Sequence, residues 1–351
     1  MRNKHTYIIG DIGQNHNGSI EIAKKIIDGA AQHIVDAQFN RELRPMDAIK
    51  LTKRDLNEEL SNSAMLKPYN SIHSFGKTYG EHRKFLELDE TQHYELYQYA
   101  KSKGLDVVET LCSKGCLSIF KYFIPDRLKV ASRDLTNLPL LESLAETRIP
   151  IILSTGMSGK KELDDAVNLI SKYHSNISIL HCLSQYPSEY KNINLKTIQY
   201  LIDNYPDYTI GYSDHSIGIV VPVCAVALGA EIIEKHITLD RNMKGSDHWG
   251  SLSFDGIQRM VRDINNIEES LGKYGMFISE SVQGSKYKLE RSIASNKYLP
   301  VGYIIQKDDI HMLSPGDGFK WAEKNLVIGK KVVSPIPKDE IIYKKYLSDE
   351  N

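Results

Sequence analysis

The chain has 351 residues, of which 41% are hydrophobic and 25% are charged. These proportions are typical of a globular protein with room for one large domain and a smaller one. The 44 Lys and Arg residues nearly balance the 45 Asp and Glu residues, so the formal net charge is −1. Without a basic excess or patch, a general affinity for nucleic acid is not expected.

The sequence also argues against a membrane or secreted protein. Its longest apolar run, 217–230, contains Gly218 and Pro222. It is too short to cross a bilayer and predicts a core helix instead. The amino terminus lacks the apolar region and cleavage site of a signal peptide, and the four cysteines form no CxxC pair. We therefore expect a cytoplasmic protein with reduced thiols.

Short runs rich in Ile, Val and Leu recur as candidate β-strands at 7–12, 48–51, 106–110, 127–131, 150–154, 178–182, 208–212 and 231–237. Amphipathic segments between them predict helices at 20–31, 90–103, 138–146, 160–172, 195–205 and 254–271. This alternation is typical of βα units around a parallel sheet. It predicts an α/β fold, a (β/α)8 TIM barrel, with a doubly wound open sheet as the alternative.

Reactive side chains fall at the end of almost every candidate strand. They include Asp11, Lys50, Thr110, Lys129, Ser132, Ser154, His181, Cys182, Ser213, Asp214, His215, Glu234 and His236. In a barrel these strand ends converge on the face where active sites of the fold are built, whereas in an open sheet they could not all meet. Their distribution favours the barrel.

Two polar segments depart from a compact barrel. Segment 32–46 is inserted before the second strand, and segment 53–85 follows that strand on the predicted active-site side. Loops this long are usually functional or mobile, so the second is either a lid or substrate-binding segment or surface decoration. After residue 274 the pattern changes to short strands and turns. We predict a barrel over 1–275, a linker over 276–290 and a small β-rich domain over 291–351.

Two pairs of residues suggest chemistry. His215 and His236 end neighbouring strands and could bind a divalent metal together with water and substrate oxygens, or could be separate polar core residues. Lys50 and Lys129 lie in otherwise apolar strands, where a buried ammonium needs an anionic partner. That partner could be a small phosphorylated carboxylate, also bound by the hydroxyls of Thr110, Ser132, Ser154 and Ser213. Strand-end acids such as Asp11 or Asp134, or a Schiff-base role for a lysine, are the alternatives.

The remaining candidates are acids and thiols. Asp11 ends the first strand beside an amide-rich turn, where it could move a substrate proton or cap the following helix. Asp214 and Asp247 are further acid candidates. Asp247 is expected to have a function only if its loop lies over the site. Neither Cys112 nor Cys182 has an obvious ordered base, so thiol catalysis is not expected.

Nearly the whole chain resembles the sialic acid (nonulosonic acid) synthases. The resemblance is carried, in order, by IIGDIGQNHNG (8–18), DAIK (47–50), KVAS (129–132), DLTN (134–137), IILSTGM (151–157), LHC (180–182), YP (186–187), GYSDH (211–215) and EKHIT (234–238). The region with RS (291–292) and PGDG (315–318) resembles the antifreeze-protein-like (SAF) domain of the same enzymes.

The resemblance implies condensation of phosphoenolpyruvate with an N-acyl aminohexose, either N-acetylmannosamine or a diacetamido trideoxy hexose, to a nonulosonic acid and phosphate. It implies a divalent metal, Mn²⁺ or Mg²⁺, on His215 and His236, and a domain-swapped homodimer in which each small domain closes its partner's site. It also assigns roles: phosphoenolpyruvate binding to Lys50, Thr110, Lys129, Ser132, Ser154 and Ser213, acidic catalysis to Asp11, and sugar contacts to Asp134, Tyr186 and Asp247.

Several residues differ from those usual in the family. Asp11 stands in place of Glu, Arg133 in place of the Gly after the serine, and Ser314 in place of an Arg that reaches the sugar's acyl group. These differences bear on the identity of the aminosugar more than on the use of phosphoenolpyruvate. Two alternatives remain. One is another phosphoenolpyruvate–aldose synthase, of the kind that makes 3-deoxy-octulosonate phosphate from a sugar phosphate, against which the C-terminal domain argues. The other is a catalytically silent carbohydrate-binding homologue, against which the retained lysines and histidines argue.

Overall fold

The computed structural model describes residues 5–37 and 39–348. Residues 1–4 of the predicted barrel, residue 38 of the predicted insertion and residues 349–351 of the predicted small domain lie outside the described residues. The chain divides into two compact units, the first ending at Gly272 and the second beginning at Lys273.

The described residues of the first unit form ten strands. They are β1 (Tyr7–Gly13), β2 (Ile34–Asp36), β3 (Arg41–Leu43), β4 (Ala48–Lys53), β5 (Asp106–Leu111), β6 (Arg127–Val130), β7 (Ile151–Ser154), β8 (Ile177–Cys182), β9 (Thr209–Asp214) and β10 (Ile232–His236). Eight of them, β1 and β4 to β10, pair in parallel and form a closed barrel in which β1 lies between β4 and β10. This confirms the predicted barrel and excludes the open sheet.

The helices lie between the strands. They are α1 (Ile20–Ala30), α2 (Leu56–Glu59), α3 (Asn62–Leu66), α4 (Tyr79–Leu86), α5 (Glu90–Ser102), α6 (Leu138–Glu146), α7 (Lys160–Ile170), α8 (Thr197–Asn204), α9 (Val220–Ala227) and α10 (Phe254–Leu271). Short 3-10 helices cover Lys114–Lys121, Ser132–Asp134 and Tyr190–Asn192. The apolar run 217–230 contains α9, as its composition predicts. None of the helices that the structure describes is long and apolar enough to span a bilayer.

The strand alternation explains how the barrel positions polar groups at one end. One apolar cluster is made by residues of six barrel strands, Ile9, Ala48, Val108, Ile152, Leu180 and Ile232. Two positions later on the same strands stand Asp11, Lys50, Thr110, Ser154, Cys182 and Glu234. Because side chains two residues apart share a face of a strand, the apolar cluster and these polar groups form successive layers inside the barrel.

The two polar insertions have structure of their own. Segment 32–46 forms an antiparallel hairpin of β2 and β3. Segment 53–85 contains α2, α3 and most of α4, and α4 begins with a capping box in which Thr78 and Glu81 satisfy each other's backbone amides.

The second unit contains α11 (Gln283–Leu289), β11 (Ser292–Ser295) and β12 (Ile310–Leu313), with β11 and β12 antiparallel. Its 3-10 helices cover Glu280–Val282, Lys307–Asp309, Trp321–Leu326 and Lys344–Tyr346. A separate apolar core includes Ile293, Leu299, Val332 and Ile342. α11 lies within the linker predicted over 276–290, so most of the second half of that segment is helical. A seven-residue helix shows too little periodicity to be recognised in the sequence.

Candidate active site

The carboxyl ends of the barrel strands surround one cavity of about 340 Å³. This volume lies within the range of small-molecule sites. Nearly all of the side chains predicted for the site line it, namely Asp11, Lys50, Thr110, Lys129, Ser132, Ser154, Tyr186, Ser213, His215, His236 and Asp247. The exception is Asp134.

Two buried lysines point into the cavity and share one carboxylate. Nζ of Lys50 lies 2.9 Å from Oδ2 of Asp11 and 3.5 Å from Oε1 of Glu234, and Nζ of Lys129 lies 3.2 Å from the same Glu234 oxygen. Ser213 donates a hydrogen bond to that oxygen at 2.8 Å. The pairing of Lys50 with Asp11, one of the alternatives in the sequence, is present, and Glu234 is an acid that the predicted site lacked.

The shared carboxylate controls the charge of both lysines. Burial lowers the pKa of Lys50, but Asp11 and Glu234 outweigh burial and raise it. Burial also lowers the pKa of Lys129, and here it dominates because only Glu234 lies beside that ammonium while Lys50 repels it. Burial would raise the pKa of Glu234, yet the two ammonium groups hold it well below its usual range. Glu234 is therefore ionised at neutral pH and stabilises two buried cations.

Several polar atoms of the cavity have no hydrogen-bond partner among the described residues. They are Oδ1 of Asp11, Oγ1 of Thr110, Oγ of Ser154, Oε2 of Glu234 and Nδ1 of His236. Buried polar atoms are nearly always hydrogen-bonded, so orphans gathered in one cavity indicate a ligand or bound water. The hydroxyls and lysines provide the donors that a phosphorylated carboxylate requires.

Gly156 allows the backbone to approach the hydroxyls of Ser132 and Ser184. The amide of Gly156 donates to Oγ of Ser132 at 3.0 Å. A Cβ atom at this position would lie 2.5 Å from Oγ of Ser184, 2.9 Å from Oγ of Ser132 and 3.0 Å from Sγ of Cys182. Any larger residue would therefore displace the hydroxyl groups or fill the cavity.

His215 and His236 lie side by side, with ring centroids 5.6 Å apart. Nδ1 of His215 donates to the carbonyl of Leu183 at 2.8 Å, which leaves Nε2 free as a lone-pair donor. Nδ1 of His236 lies 3.3 Å from Oδ2 of Asp11 without hydrogen-bond geometry. Within the described residues no group of three or more His, Cys, Asp or Glu side chains could hold a metal ion. The geometry therefore fits a two-histidine metal site only if water or substrate supplies the other ligands.

Tyr186 and Asp247 flank these histidines. The Tyr186 ring lies 4.0 Å from the ring of His215 and 6.1 Å from the ring of His236, measured between centroids. Burial would raise the pKa of Asp247, but His236, the Ser246 hydroxyl and Arg83 keep it below its usual range. One part of the cavity thus combines a phenol, two imidazoles and an ionised carboxylate, which suits a polyhydroxylated substrate.

Asp134 is not among the residues that line the cavity, and the sugar contact that the resemblance implies for it stays a prediction. It ends the 3-10 turn Ser132–Asp134, and its Oδ2 lies 3.3 Å from Nε of Arg133. Arg133 lines the cavity and also approaches Glu59 at 3.3 Å. Because Nε of Arg133 donates a hydrogen bond to Asp134, the carboxylate holds Arg133 in place at the cavity wall.

The thiols of Cys112 and Cys182 have different surroundings. Sγ of Cys112 accepts a hydrogen bond from Arg133 at 3.0 Å, and burial raises the pKa of this thiol to about 11. Cys182 lines the cavity, with Sγ 3.8 Å from Nδ1 of His215. All four cysteines are free.

A buried ion pair supports the turn that carries His215. Nζ of Lys235 lies 2.6 Å from Oδ2 of Asp214, and both side chains are fully buried. Asp214 also accepts hydrogen bonds at 3.0 Å from the hydroxyl of Tyr212 and from the amide and hydroxyl of Ser216. Asp214, an acid candidate in the sequence, is therefore part of the support rather than of the cavity lining.

The cavity also contains residues to which the sequence pattern assigned no role. Glu234 could have been found from strand alternation, because it stands two positions after the inward-facing Ile232 and two before His236. Arg54 and Arg83 come from segment 53–85 and line the cavity. Their position supports the substrate-binding interpretation of that segment over surface decoration.

The fold and the site together define a class of protein: a (β/α)8 barrel with a cavity lined by hydroxyls and lysines, followed by a small β-rich unit. The chain belongs to the NeuB family, whose model matches residues 43–275, and residues 290–347 match the SAF domain. These matches confirm the resemblance found in the motifs.

Related proteins cover nearly the whole chain. It is 31% identical to the human N-acetylneuraminate-9-phosphate synthase over 98% of this chain and 93% of the relative. It is 32% identical to the N,N'-diacetyllegionaminic acid synthase of Legionella pneumophila over 93% of this chain and 90% of the relative. Among solved structures, an N-acetylneuraminic acid synthetase from Leptospira borgpetersenii in complex with citrate is similar, with a TM-score of 0.66 and 33% identity over 81% of this chain and 90% of that chain.

Proposed function

We propose that this protein condenses phosphoenolpyruvate with an N-acyl aminohexose, giving a nonulosonic acid and phosphate. The observation that carries the proposal is the pair of buried lysines, Lys50 and Lys129, in a cavity with unpartnered hydroxyls of Thr110 and Ser154. The names of the human and Legionella relatives, both synthases of nonulosonic acids, support the product class.

Phosphoenolpyruvate fits the lysine end of the cavity. Lys50 and Lys129 would attract its carboxylate and phosphate, and the hydroxyls of Thr110, Ser132 and Ser154 would donate hydrogen bonds to the same oxygens. The Ser213 hydroxyl, which donates to Glu234, would line the same part of the site. Ordered cations and hydroxyls in a buried site stabilise anionic charge without solvent reorganisation. They would hold C3 of the enol in a fixed direction, which is the main requirement for a bimolecular condensation.

The aminohexose would bind beside Tyr186, His215, His236 and Asp247, in its open-chain aldehyde form. C3 of phosphoenolpyruvate attacks the aldehyde carbon and forms the new C–C bond. Water then adds at C2, and phosphate leaves with cleavage of the C2–O bond. Oδ1 of Asp11 has no protein partner and lies in the cavity, so Asp11 would orient or take the proton of a reacting hydroxyl group or water.

A divalent cation, Mn²⁺ or Mg²⁺, would be held by His215 and His236 and would polarise the sugar aldehyde. The fit rests on two observations. Nδ1 of His215 is engaged by the Leu183 carbonyl, which orients the opposite ring nitrogen, and Nδ1 of His236 and Oδ1 of Asp11 are both buried without a partner. A second group that fixes the ring is the usual arrangement around a metal-binding histidine.

We also propose a cytoplasmic, domain-swapped homodimer in which the small domain of each chain closes the partner's site. Support comes from the SAF match after the barrel, because this domain accompanies the barrel in the enzymes that the motifs resemble. The mass in solution measured by light scattering should be that of two chains. A monomer that is fully active would contradict the dimer without affecting the reaction.

The reaction is tested by phosphate release from phosphoenolpyruvate with Mn²⁺. The sugars are N-acetylmannosamine, a diacetamido trideoxy hexose, the 6-phosphate of N-acetylmannosamine, and arabinose 5-phosphate. Release with an aminohexose, phosphorylated or not, supports the proposal and identifies the sugar. Release only with arabinose 5-phosphate would assign the protein to the sugar-phosphate alternative. No release with any sugar would favour a catalytically silent homologue.

The metal site is tested by binding as well as by turnover. His215→Ala and His236→Ala should each abolish metal-dependent turnover and weaken Mn²⁺ binding, measured by electron paramagnetic resonance, while the far-ultraviolet circular dichroism remains unchanged. His174→Ala, on a histidine outside the cavity lining, is the control. Unchanged Mn²⁺ binding in both site variants would contradict the assignment.

A further inference from the structure

Arg83 differs from the other cations of the cavity in its partners. In the part of the chain that the structure describes, five Lys and Arg side chains line the cavity: Lys50, Arg54, Arg83, Lys129 and Arg133. Lys50 and Lys129 pair with Asp11 and Glu234, Arg54 pairs with Glu59, and Arg133 pairs with Asp134 and Glu59. Among the described residues no carboxylate lies within ion-pair distance of Arg83. Its charge is therefore available to a ligand.

The partners of Arg83 are neutral and hold its guanidinium in place. Nε donates to the hydroxyl of Tyr79 at 2.8 Å, Nη1 donates to Oε1 of Gln14 at 2.6 Å, and the guanidinium lies 5.0 Å from the centroid of the Tyr79 ring. These contacts use two of the three nitrogens. Because two hydrogen bonds and a ring contact hold the planar group, binding a ligand costs the Arg83 side chain less rotamer entropy.

A second unsatisfied donor lies next to this guanidinium. Gln14 also lines the cavity, and its Nε2 is buried without a hydrogen-bond partner among the described residues. The acceptor oxygen of the same amide is occupied by Arg83, which sets the orientation of the amide group. The cavity lining thus contains an unpartnered amide N–H and a guanidinium that belong to hydrogen-bonded neighbours. Two neighbouring donors, one of them charged, can bind an oxygen acceptor.

The backbone anchors the segment that carries Arg83 to the turn that carries Gln14. Helix α4 has a capping box at its amino end. At its carboxyl end, a Cβ atom on Gly18 would lie 2.4 Å from the carbonyl oxygen of Phe85, so the backbone of α4 packs directly against the turn after β1. Gly18 has a φ of +74°, a conformation that favours glycine. The Arg83 and Gln14 pair is therefore positioned by backbone packing as well as by its own hydrogen bond.

The pair of Arg83 and Gln14 lies near His236 and Asp247. Gln14 follows Gly13, whose Cβ position lies 3.2 Å from the ring of His236, and Arg83 contributes to the low pKa of Asp247. The hydroxyls and Lys129 assigned to phosphoenolpyruvate come instead from β5, β6, β7, β9 and the turn after β6. Arg83 and Gln14 are therefore on the side where the sugar is expected.

We propose that Arg83, with the Nε2 group of Gln14, binds an oxygen acceptor on the sugar substrate and so determines which sugar is used. This inference rests on the proposed function. It adds Arg83, a residue of the same barrel, as a determinant of sugar specificity. The acceptor is either the carbonyl oxygen of the N-acyl group or an oxygen of a phosphate on the sugar, since both accept hydrogen bonds from a guanidinium and an amide.

The test compares wild-type protein with Arg83→Gln and Arg83→Lys in steady-state phosphate release. Lys84→Gln is the matched control, because Lys84 is the next residue of α4, is also cationic and is exposed. We expect Arg83→Gln to raise KM for the sugar about 10- to 100-fold, the range for removal of a hydrogen bond to a charged group. KM for phosphoenolpyruvate should change less than about twofold, and Arg83→Lys should recover part of the loss because it retains the charge without the planar group.

Substrate variants distinguish the two acceptors. If the acyl oxygen is bound, the loss should be present for N-acetylmannosamine and absent for mannosamine. If a phosphate is bound, the loss should appear only with the 6-phosphate of N-acetylmannosamine. An equal rise in KM for phosphoenolpyruvate and for the sugar, or no change in Arg83→Gln, would overturn the proposal.

The failure of the proposed function would be recognised separately, as the absence of phosphate release by wild-type protein with any sugar. In that case calorimetric titration of the same sugars into wild-type protein and Arg83→Gln decides the role of Arg83. Weaker binding to the variant would support the role, and equal binding, or none to either protein, would overturn it.

Discussion

Nζ of Lys129 lies 3.2 Å from Oε1 of Glu234, and both side chains are almost completely buried. The same carboxylate oxygen also lies 3.5 Å from Nζ of Lys50. A buried carboxylate between two ammonium groups offsets part of the cost of burying the cations before an anionic substrate binds. This relationship explains how an apolar barrel interior retains two lysines, and it leads to several testable consequences.

Replacing the shared carboxylate of Glu234 should destabilise the protein and make its stability depend more strongly on bound anions. Glu234→Gln leaves Lys129 without its acidic partner, and we expect a loss of about 3–5 kcal/mol in the free energy of unfolding, as for other broken buried ion pairs. Inorganic phosphate should restore part of this loss and stabilise the variant more than wild type. Urea denaturation with and without phosphate measures both effects.

The control for Glu234→Gln is Asp165→Asn, which removes an exposed carboxylate paired with Lys161 on α7. Exposed pairs contribute little, so its stability should match wild type. If Glu234→Gln were as stable as this control, the two lysines would not depend on Glu234 for their charge.

The lowered pKa of Lys129 predicts that kcat/KM for phosphoenolpyruvate falls at alkaline pH. The cation is present below its pKa and is lost as pH rises through it. We therefore expect kcat/KM for phosphoenolpyruvate to fall at a pH below the ordinary lysine value of about 10.4. Lys129→Arg should move the fall to higher pH, because a guanidinium stays protonated throughout this range. A pH profile with Mg²⁺ tests this, and an identical profile for wild type and Lys129→Arg would exclude Lys129 as the titrating group.

A single methyl group should block the hydroxyl-lined part of the cavity. In Gly156→Ala the new Cβ atom would lie within 3.0 Å of Oγ of Ser184, Oγ of Ser132 and Sγ of Cys182. We expect KM for phosphoenolpyruvate to rise by about tenfold or more, with a smaller change in KM for the sugar. Gly284→Ala is the control because no atom lies within 4 Å of its Cβ position. Equal effects on both substrates would indicate general distortion instead.

The buried pair of Asp214 and Lys235 should contribute to stability and to the position of His215. Lys235→Met removes one partner of a 2.6 Å ion pair and leaves a buried carboxylate, at an expected cost of about 3–5 kcal/mol. The double variant Asp214→Asn, Lys235→Met should recover part of this cost, because no uncompensated charge remains. Chemical denaturation of the single and double variants measures the coupling. Additive losses would mean that the two charges do not stabilise each other.

Most of the barrel could be predicted because its strands are short apolar runs bounded by polar residues. Lys50 and Lys129 attracted attention for the same reason, since a charged residue inside an apolar run is unusual. Glu234 was missed as a site residue because its importance comes from Lys50 and Lys129, which lie on strands distant in sequence. The parallel register that brings them together is a property of the closed barrel.

Other features depend on turns that carry no periodic signal. Asp134 is assigned to the sugar from its motif alone, whereas the 3-10 turn Ser132–Asp134 directs Arg133 to the cavity and places Asp134 beside that guanidinium. Arg83 lies in a polar segment whose composition resembles an ordinary surface loop. Only the packing of α4 against the turn at Gly18 shows that this side chain reaches the cavity.

The central claim, condensation at C3 of phosphoenolpyruvate with cleavage of its C2–O bond, is tested most directly with phosphoenolpyruvate labelled with ¹⁸O at the bridging oxygen. The labelled substrate is incubated with Mn²⁺ and the active aminohexose, and both products are analysed by mass spectrometry. We expect a nonulosonic acid with the combined carbon skeleton and phosphate that carries the ¹⁸O label. Labelled pyruvate with unlabelled phosphate, and no nine-carbon product, would contradict the account.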